Sequence, residues 1–127
     1  MTLFPRTATV AGNHLIIGGC DTVDLAGKFG TPLYVFDETT LRQRCADYRD
    51  GFNKRYPDSL VCYACKAFIN RALARIFDEE GLGLDVVSGG ELAIARSAGF
   101  PMGRVYFNGN NKSRDEMEAA IGSGVGC

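Results

Sequence analysis

Five short β-type runs, residues 14–17, 33–36, 60–64, 84–87 and 104–107, alternate with segments of helical period, a few turn residues apart. No other feature constrains the chain as much, because strands joined through helices pair in parallel and place the helices on the sheet faces. The fold class is α/β. Helix starts support it. Asp21 can cap a first helix that ends at Gly30, where Thr31-Pro32 turns the chain to extended geometry. Asp37 can cap a second, with Leu41, Cys45 and Tyr48 along one face, and Asn70 a third, whose Leu73, Ile76 and Phe77 form a stripe before Gly81. Ser88-x-x-Glu91 and Ser113-x-x-Glu116 have the form of capping boxes, in which serine and glutamate satisfy each other's backbone donors. His14 and the aromatics Phe29, Tyr34 and Phe36 are assigned to core or domain packing. Residues 122–127 read as a helix end leading toward a further strand, so the chain is expected to stop mid-fold.

Composition narrows the function classes. With 127 residues, 46% hydrophobic and 23% charged, the chain has enough apolar surface for a core. A net charge of -1 with no basic run argues against a nucleic-acid partner. Apolar stretches fall far short of the roughly 20 residues of a membrane helix, and residues 1–15 lack a basic head followed by an apolar block. A cytoplasmic location without a membrane partner is expected. Five scattered cysteines are expected to be reduced thiols, and a single histidine leaves a metal site short of ligands.

Lys66 ends an otherwise apolar strand. Strand parity places Leu60, Cys62, Ala64 and Lys66 on one face, so the amine emerges at the carboxyl end of a buried strand, where parallel α/β folds hold ligands. Burial there lowers a lysine's pKa from about 10.4 toward values at which the free amine attacks carbonyl carbon. The alternative is a solvated lysine at a strand end. Cys62-Tyr63-Ala64-Cys65 has the spacing of a thiol oxidoreductase, but it lies in a β-type run without the helix N-terminus that activates such thiols. Two packed thiols pointing to opposite faces are expected instead. The glycines of residues 87–91 could admit a phosphate at a helix N-terminus, or could simply make a tight turn. Asp85, an acid inside an apolar strand, requires a partner, whether its role is functional or structural.

Three motifs carry a family resemblance: Val61-Cys-Tyr-Ala-Cys-Lys66-Ala67-Phe68, then Gly83-Leu-Asp85-Val-Val-Ser88-Gly-Gly-Glu91-Leu92, then Phe107-Asn-Gly-Asn-Asn-Lys112-Ser113. In order and spacing they resemble the diaminopimelate decarboxylases, a branch of the fold-type III pyridoxal-phosphate decarboxylases. Gly19-Cys20-Asp21 through Phe29-Gly30-Thr31-Pro32-Leu33-Tyr34-Val35-Phe36 resembles that family's entry to its barrel.

The resemblance implies the N-terminal part of a pyridoxal-phosphate-binding (β/α)8 TIM-like barrel, with a separate β-domain in the complete protein. Residues 1–32 would be the N-terminal strand and helix leading into the barrel, and residues 33–127 its first βα units. Such a barrel takes about 250 residues, so about half would be present. The glycine-rich phosphate loop, the acid at the pyridine nitrogen and a cysteine motif from the other subunit of a homodimer would lie outside the chain. By the same resemblance Lys66 is the catalytic lysine that binds pyridoxal 5'-phosphate covalently, Asp85 lies beside the cofactor, and Glu91 lies close to the same site. Asn108 stands where many of the family carry histidine, and no contact is assigned to it. The implied reaction is decarboxylation of meso-diaminopimelate to L-lysine, with the 127 residues inactive alone. Rival expectations are an ornithine, arginine or carboxynorspermidine decarboxylase of the same fold, a thiol oxidoreductase built on Cys62 and Cys65, and a non-enzymatic binding module.

Overall fold

Three apolar runs build the sheet that positions the site. β4 (Cys62–Ala64), β5 (Gly83–Val86) and β6 (Val105–Phe107) lie side by side in that order, paired in parallel, in a computed structural model that describes residues 3–127. α3 (Arg71–Glu79) joins β4 to β5, α4 (Gly89–Ala98) joins β5 to β6, and α5 (Arg114–Gly122) follows β6. This is the repeating βα unit of a barrel, and it confirms the α/β class. Register sets Ala64 opposite Asp85 and Asp85 opposite Tyr106, with Tyr63, Leu84 and Val105 in the adjacent row. Adjacent rows face opposite ways. Leu84, Val86 and Val105 are fully buried on the helical side, where Phe77 of α3 stacks on Tyr63 with ring centroids 4.1 Å apart. Burial of each such side chain contributes about 1.5–3 kcal/mol. The opposite face, carrying Cys62, Ala64, Asp85 and Tyr106, is only half-buried.

Polar clamps hold this arrangement. Arg104 donates to Leu82 O at 2.8 Å, pairs with Asp78 and lies over the Phe100 ring, fixing the start of β6 against the α3–β5 turn. Gly83 has no side chain for a steric reason: a Cβ there would come within 2.7 Å of Cys62 Sγ and 2.9 Å of Arg104 O. Asn70 Oδ1 accepts from Leu73 N at 2.8 Å, capping α3 as expected. Ser113 and Glu116 close the expected box at the start of α5. Gly126 N–H donates to Val105 O and Cys127 O accepts from Phe107 N, so the last residues run beside β6.

The described chain divides into two units, Met1–Arg44 and Cys45–Cys127, the boundary falling inside α2 (Glu38–Asn53). The first unit is an antiparallel meander of β1 (Thr9–Ala11), β2 (His14–Ile17) and β3 (Cys20–Asp21), followed by α1 (Thr22–Phe29). β1 and β3 were not expected from the sequence. Their signal lies in the turns: Gly12-Asn13 and Gly18-Gly19 all have positive φ, as tight hairpin connections demand. Asp37 is buried and caps α2 through Thr40 N at 2.7 Å, while its other oxygen accepts from Thr7 Oγ1 at 2.7 Å. These hydrogen bonds hold its carboxyl below the usual range.

Several expectations are corrected here. Residues 33–36 form no strand, because an apolar run becomes one only where a neighbouring ladder accepts its backbone groups, and none does among the described residues. Phe29, Tyr34 and Phe36 are exposed, which removes them from the core and leaves domain packing as the expectation for them, and on α2 Cys45 is buried but Tyr48 is not.

His14 is also exposed, and its Nδ1 lies 2.6 Å from Asp21 Oδ2. Asp21 meanwhile caps α1 through Val23 N at 2.8 Å. The hydrogen bond and charge of Asp21 raise the His14 pKa above 6.5, and His14 in turn lowers that of Asp21 below 3.8. A raised histidine pKa gives stability that is complete below 6.5 and lost as pH climbs through the raised value. A lowered aspartate pKa gives stability that is complete above 3.8 and lost as pH falls through the lowered value. The pair is therefore fully formed between those limits. In an NMR titration the His14 ring is expected to titrate above 6.5, and Asp21→Asn to return it to the ordinary range. An unchanged midpoint in the variant would contradict the pairing.

Candidate active site

β4 ends at Ala64 and the chain turns at once into a 3-10 helix, Cys65–Ala67. Lys66 thus stands past the carboxyl end of the strand on a turn. Its direction is not set by alternation with Cys62 and Ala64, which corrects the parity expectation. Two contacts pin the turn: Cys65 is buried at 2% exposure, and Tyr63 OH donates to Phe68 O at 2.8 Å across it. Lys66 itself is exposed, and its amine has no hydrogen-bond or ion-pair partner among the described residues.

The charges of two acids are felt at the same turn. The Cys65 thiol is pushed up to about 12, first by burial and then by the negative charges of Glu91 and Asp85. Burial and Asp85 also raise the Cys62 thiol. Oxidoreductase chemistry needs the reverse, a depressed thiol at an activating helix end. Cys65 does open a helical turn, but burial dominates, and both thiols are free. The C-x-x-C reading is set aside on this ground.

Asp85 takes its partner from Asn108, the residue to which the sequence reading assigns no contact, and that expectation is corrected here. Asn108, directly after β6, donates from Nδ2 to Asp85 Oδ1. The available signal was register: Asp85 lies opposite Tyr106, so Asn108 falls on the same sheet face, one pleat further toward the carboxyl ends.

Glu91 behaves differently from a capping-box residue. Ser88 Oγ accepts from Glu91 N at 3.3 Å, but Glu91 Oε2 accepts from Val87 N at 2.9 Å instead of from Ser88. β5 ends at Val86, leaving the half-buried Val87 N–H outside the ladder and in need of an acceptor. One lobe of the expected box is therefore missing.

Of the two readings of residues 87–91, the hydrogen bonds favour the tight turn. Gly89 N–H donates to Glu116 Oε1 at 2.6 Å, and Glu116 Oε2 accepts from Ser113 N at 2.9 Å. An internal carboxylate holds the place an anion would take at the start of α4. Both backbone donors keep the Glu116 carboxyl below its usual range. Among the described residues no group of three or more His, Cys, Asp or Glu is placed to hold a metal, and no helix is long and apolar enough to cross a membrane.

Residues 38–127 match the pyridoxal-binding domain of the pyridoxal-dependent decarboxylases. The chain belongs to this family. It is 50% identical over 114 residues to the diaminopimelate decarboxylase of Bacillus methanolicus, an alignment covering 90% of this chain and 26% of that protein. It superposes with a TM-score of 0.82 on the diaminopimelate decarboxylase of M. jannaschii, at 35% identity over 94% of this chain and 29% of that one. The same enzyme in complex with L-lysine gives a TM-score of 0.81 at 34% identity, over 95% of this chain and 29% of that one. The chain thus spans a little over a quarter of the length of the relatives it matches.

For a pyridoxal-binding domain, the local chemistry fits the aldehyde end of the cofactor. An unpartnered amine stands on a pinned turn, with Asp85 opposite Ala64 in the register and the small side chain of Ala64 on the half-buried sheet face. At the turn of residues 88–91 the Gly89 N–H is already taken by Glu116.

Proposed function

We propose that these residues are the first βα units of a decarboxylase that uses pyridoxal 5'-phosphate to convert meso-diaminopimelate to L-lysine. The observation that carries the site is Lys66: an exposed, unpartnered amine on a turn fixed by buried Cys65 and by the Tyr63–Phe68 hydrogen bond. The substrate rests on relatives bearing that enzyme's name at about half identity, one structural relative having been crystallised with L-lysine. Residues 1–32 lead into the barrel and residues 33–127 begin it. The complete protein works as a homodimer in the cytoplasm.

In this proposal Lys66 Nζ holds the cofactor, and Asp85 and Glu91 border it. When bound, pyridoxal phosphate supplies the electron sink that allows a carboxylate to leave as carbon dioxide. The protein supplies position and electrostatics. The Cys65 anchor and the Tyr63–Phe68 bond keep the Lys66 backbone from moving as its amine changes partners. Asp85 offers negative charge near a protonated nitrogen, which strengthens any hydrogen bond between them. Glu91 enters with Oε1, because Oε2 is committed to Val87 N.

The test uses the full-length protein with added pyridoxal phosphate, measuring carbon dioxide release from meso-diaminopimelate, ornithine, arginine and carboxynorspermidine. A kcat/KM for meso-diaminopimelate roughly 100-fold or more above the others is expected. Preference for any of the other three would transfer the protein to another branch of the family.

A further inference from the structure

We propose that Asn108 is a positioning residue that fixes the orientation of the Asp85 carboxylate, leaving Asp85 Oδ2 to meet a protonated nitrogen at the Lys66 site. This inference rests on the proposed cofactor site and extends it to a residue that carries no charge and no nucleophile.

Asp85 lies half-buried on the open face of β5, and the side-chain amide of Asn108 is its hydrogen-bond donor among the described residues. No other hydrogen bond or ion pair orients this carboxylate among the described residues. One good donor decides where its oxygens point.

The donor is itself held by the sheet. Asn108 N–H donates to Val86 O at 2.9 Å, so the β5–β6 ladder reaches this residue before the chain turns away. Gly109, at φ +105°, makes that turn, a backbone conformation that side-chain-bearing residues rarely adopt. A side chain mounted on a ladder residue is displaced less than one on a free loop, which is what a positioning group requires. An amide also contributes its hydrogen bond without adding a charge to a site that already holds two acids and a lysine.

Asn108 is exposed, so replacing it disturbs no packed core. The experiment uses the full-length protein and follows pyridoxal-phosphate binding by absorbance titration, alongside kcat and KM. The variants are Asn108→Ala, Asn108→Asp, Asp85→Asn, the double variant Asn108→Ala/Asp85→Asn, and Lys66→Ala as reference. Asn108→Ala is expected to weaken cofactor binding or kcat about tenfold. Asn108→Asp, which replaces the donor with a like charge, should lose more. Because Asn108 acts through Asp85, the double variant should fall within about twofold of Asp85→Asn alone. A purely structural asparagine would instead lower the melting temperature and multiply with Asp85→Asn. Wild-type binding and turnover in both Asn108 variants, or independent effects in the double variant, would overturn the proposal. If Lys66→Ala keeps a covalently held cofactor, the site assignment fails first, and that result is distinguishable from failure at Asn108 alone.

Discussion

Lys66→Ala in the full-length protein is expected to abolish covalent retention of pyridoxal phosphate and to reduce carbon dioxide release by about a thousandfold or more. Stability should hardly change. Lys66 is exposed and partnerless among the described residues, and substitutions at such positions usually stay within about 0.5 kcal/mol. That contrast separates a chemical role from a structural one. Lys112 is the obvious competitor, since it too follows a strand of the parallel sheet. Its amine, however, donates to Gly109 O at 2.7 Å and lies 5.4 Å from the centre of the Phe107 ring, so it is engaged where Lys66 is not. Borohydride reduction followed by peptide mass analysis reads the outcome directly. Cofactor mass on the peptide containing residue 66 is expected in the wild type and absent from the variant. A variant that retains both label and turnover would remove Lys66 from the mechanism.

What could be read from the sequence divides along the range of the interactions. Helix starts at Asp21, Asp37, Asn70, Ser88 and Ser113 were legible because a cap is a hydrogen bond to a backbone group two or three residues on. The alternation of strands and helices was legible for a similar reason, since it depends on local periodicity. The run at residues 33–36 has the composition of a strand, but composition does not supply the neighbouring backbone that makes one. Lys66 does follow the carboxyl end of β4, but strand parity does not set its direction. The apolar run continues through Cys65, yet the strand stops at Ala64, and only the packing of Cys65 into the interior shows why the chain coils there.

The least legible features join residues that are distant in sequence. Asp85 meets Asn108 across 23 positions, and Gly89 meets Glu116 across 27. The second contact changed the chemistry inferred for a motif: a glycine-rich helix start that could have held phosphate is closed by the protein's own carboxylate. Glu116 looked like half of an ordinary capping box, which it also is. Its second oxygen was free for another task, and no local pattern records where that oxygen goes. Asn108 is assigned no contact in the sequence because it stands where many of the family carry histidine, whereas its hydrogen bond to Asp85 depends on the strand register.

A polypeptide of these 127 residues expressed by itself is expected to release no carbon dioxide from meso-diaminopimelate and to self-associate. The face of the sheet bearing Cys62, Ala64, Asp85 and Tyr106 is only half-buried. β4 pairs only with β5 among the described residues, leaving one edge of backbone donors and acceptors without a ladder. Beside β6, Phe107, Met117, Ala120, Ile121 and Val125 line an open groove of about 280 Å³, with Ile121 exposed at 81%. A barrel removes such edges only by closing, and closure requires strands that these residues do not contain. Exposed apolar surface and a free edge both favour association with further copies. Catalysis should fail for a separate reason: in the proposed site Lys66, Asp85 and Glu91 serve only one end of the cofactor, while the Gly89 donor that might have served its phosphate is taken by Glu116. Size-exclusion chromatography with light scattering reads the first expectation, and carbon dioxide release with excess pyridoxal phosphate reads the second. An imine formed with free aldehyde would not count as activity, since any accessible lysine can form one. A monodisperse, cooperatively unfolding monomer would show that the open face and free edge are tolerated. Robust turnover by that monomer would show that Lys66, Asp85 and their neighbours suffice without a closed barrel, and would overturn the view that the site is completed from outside these residues.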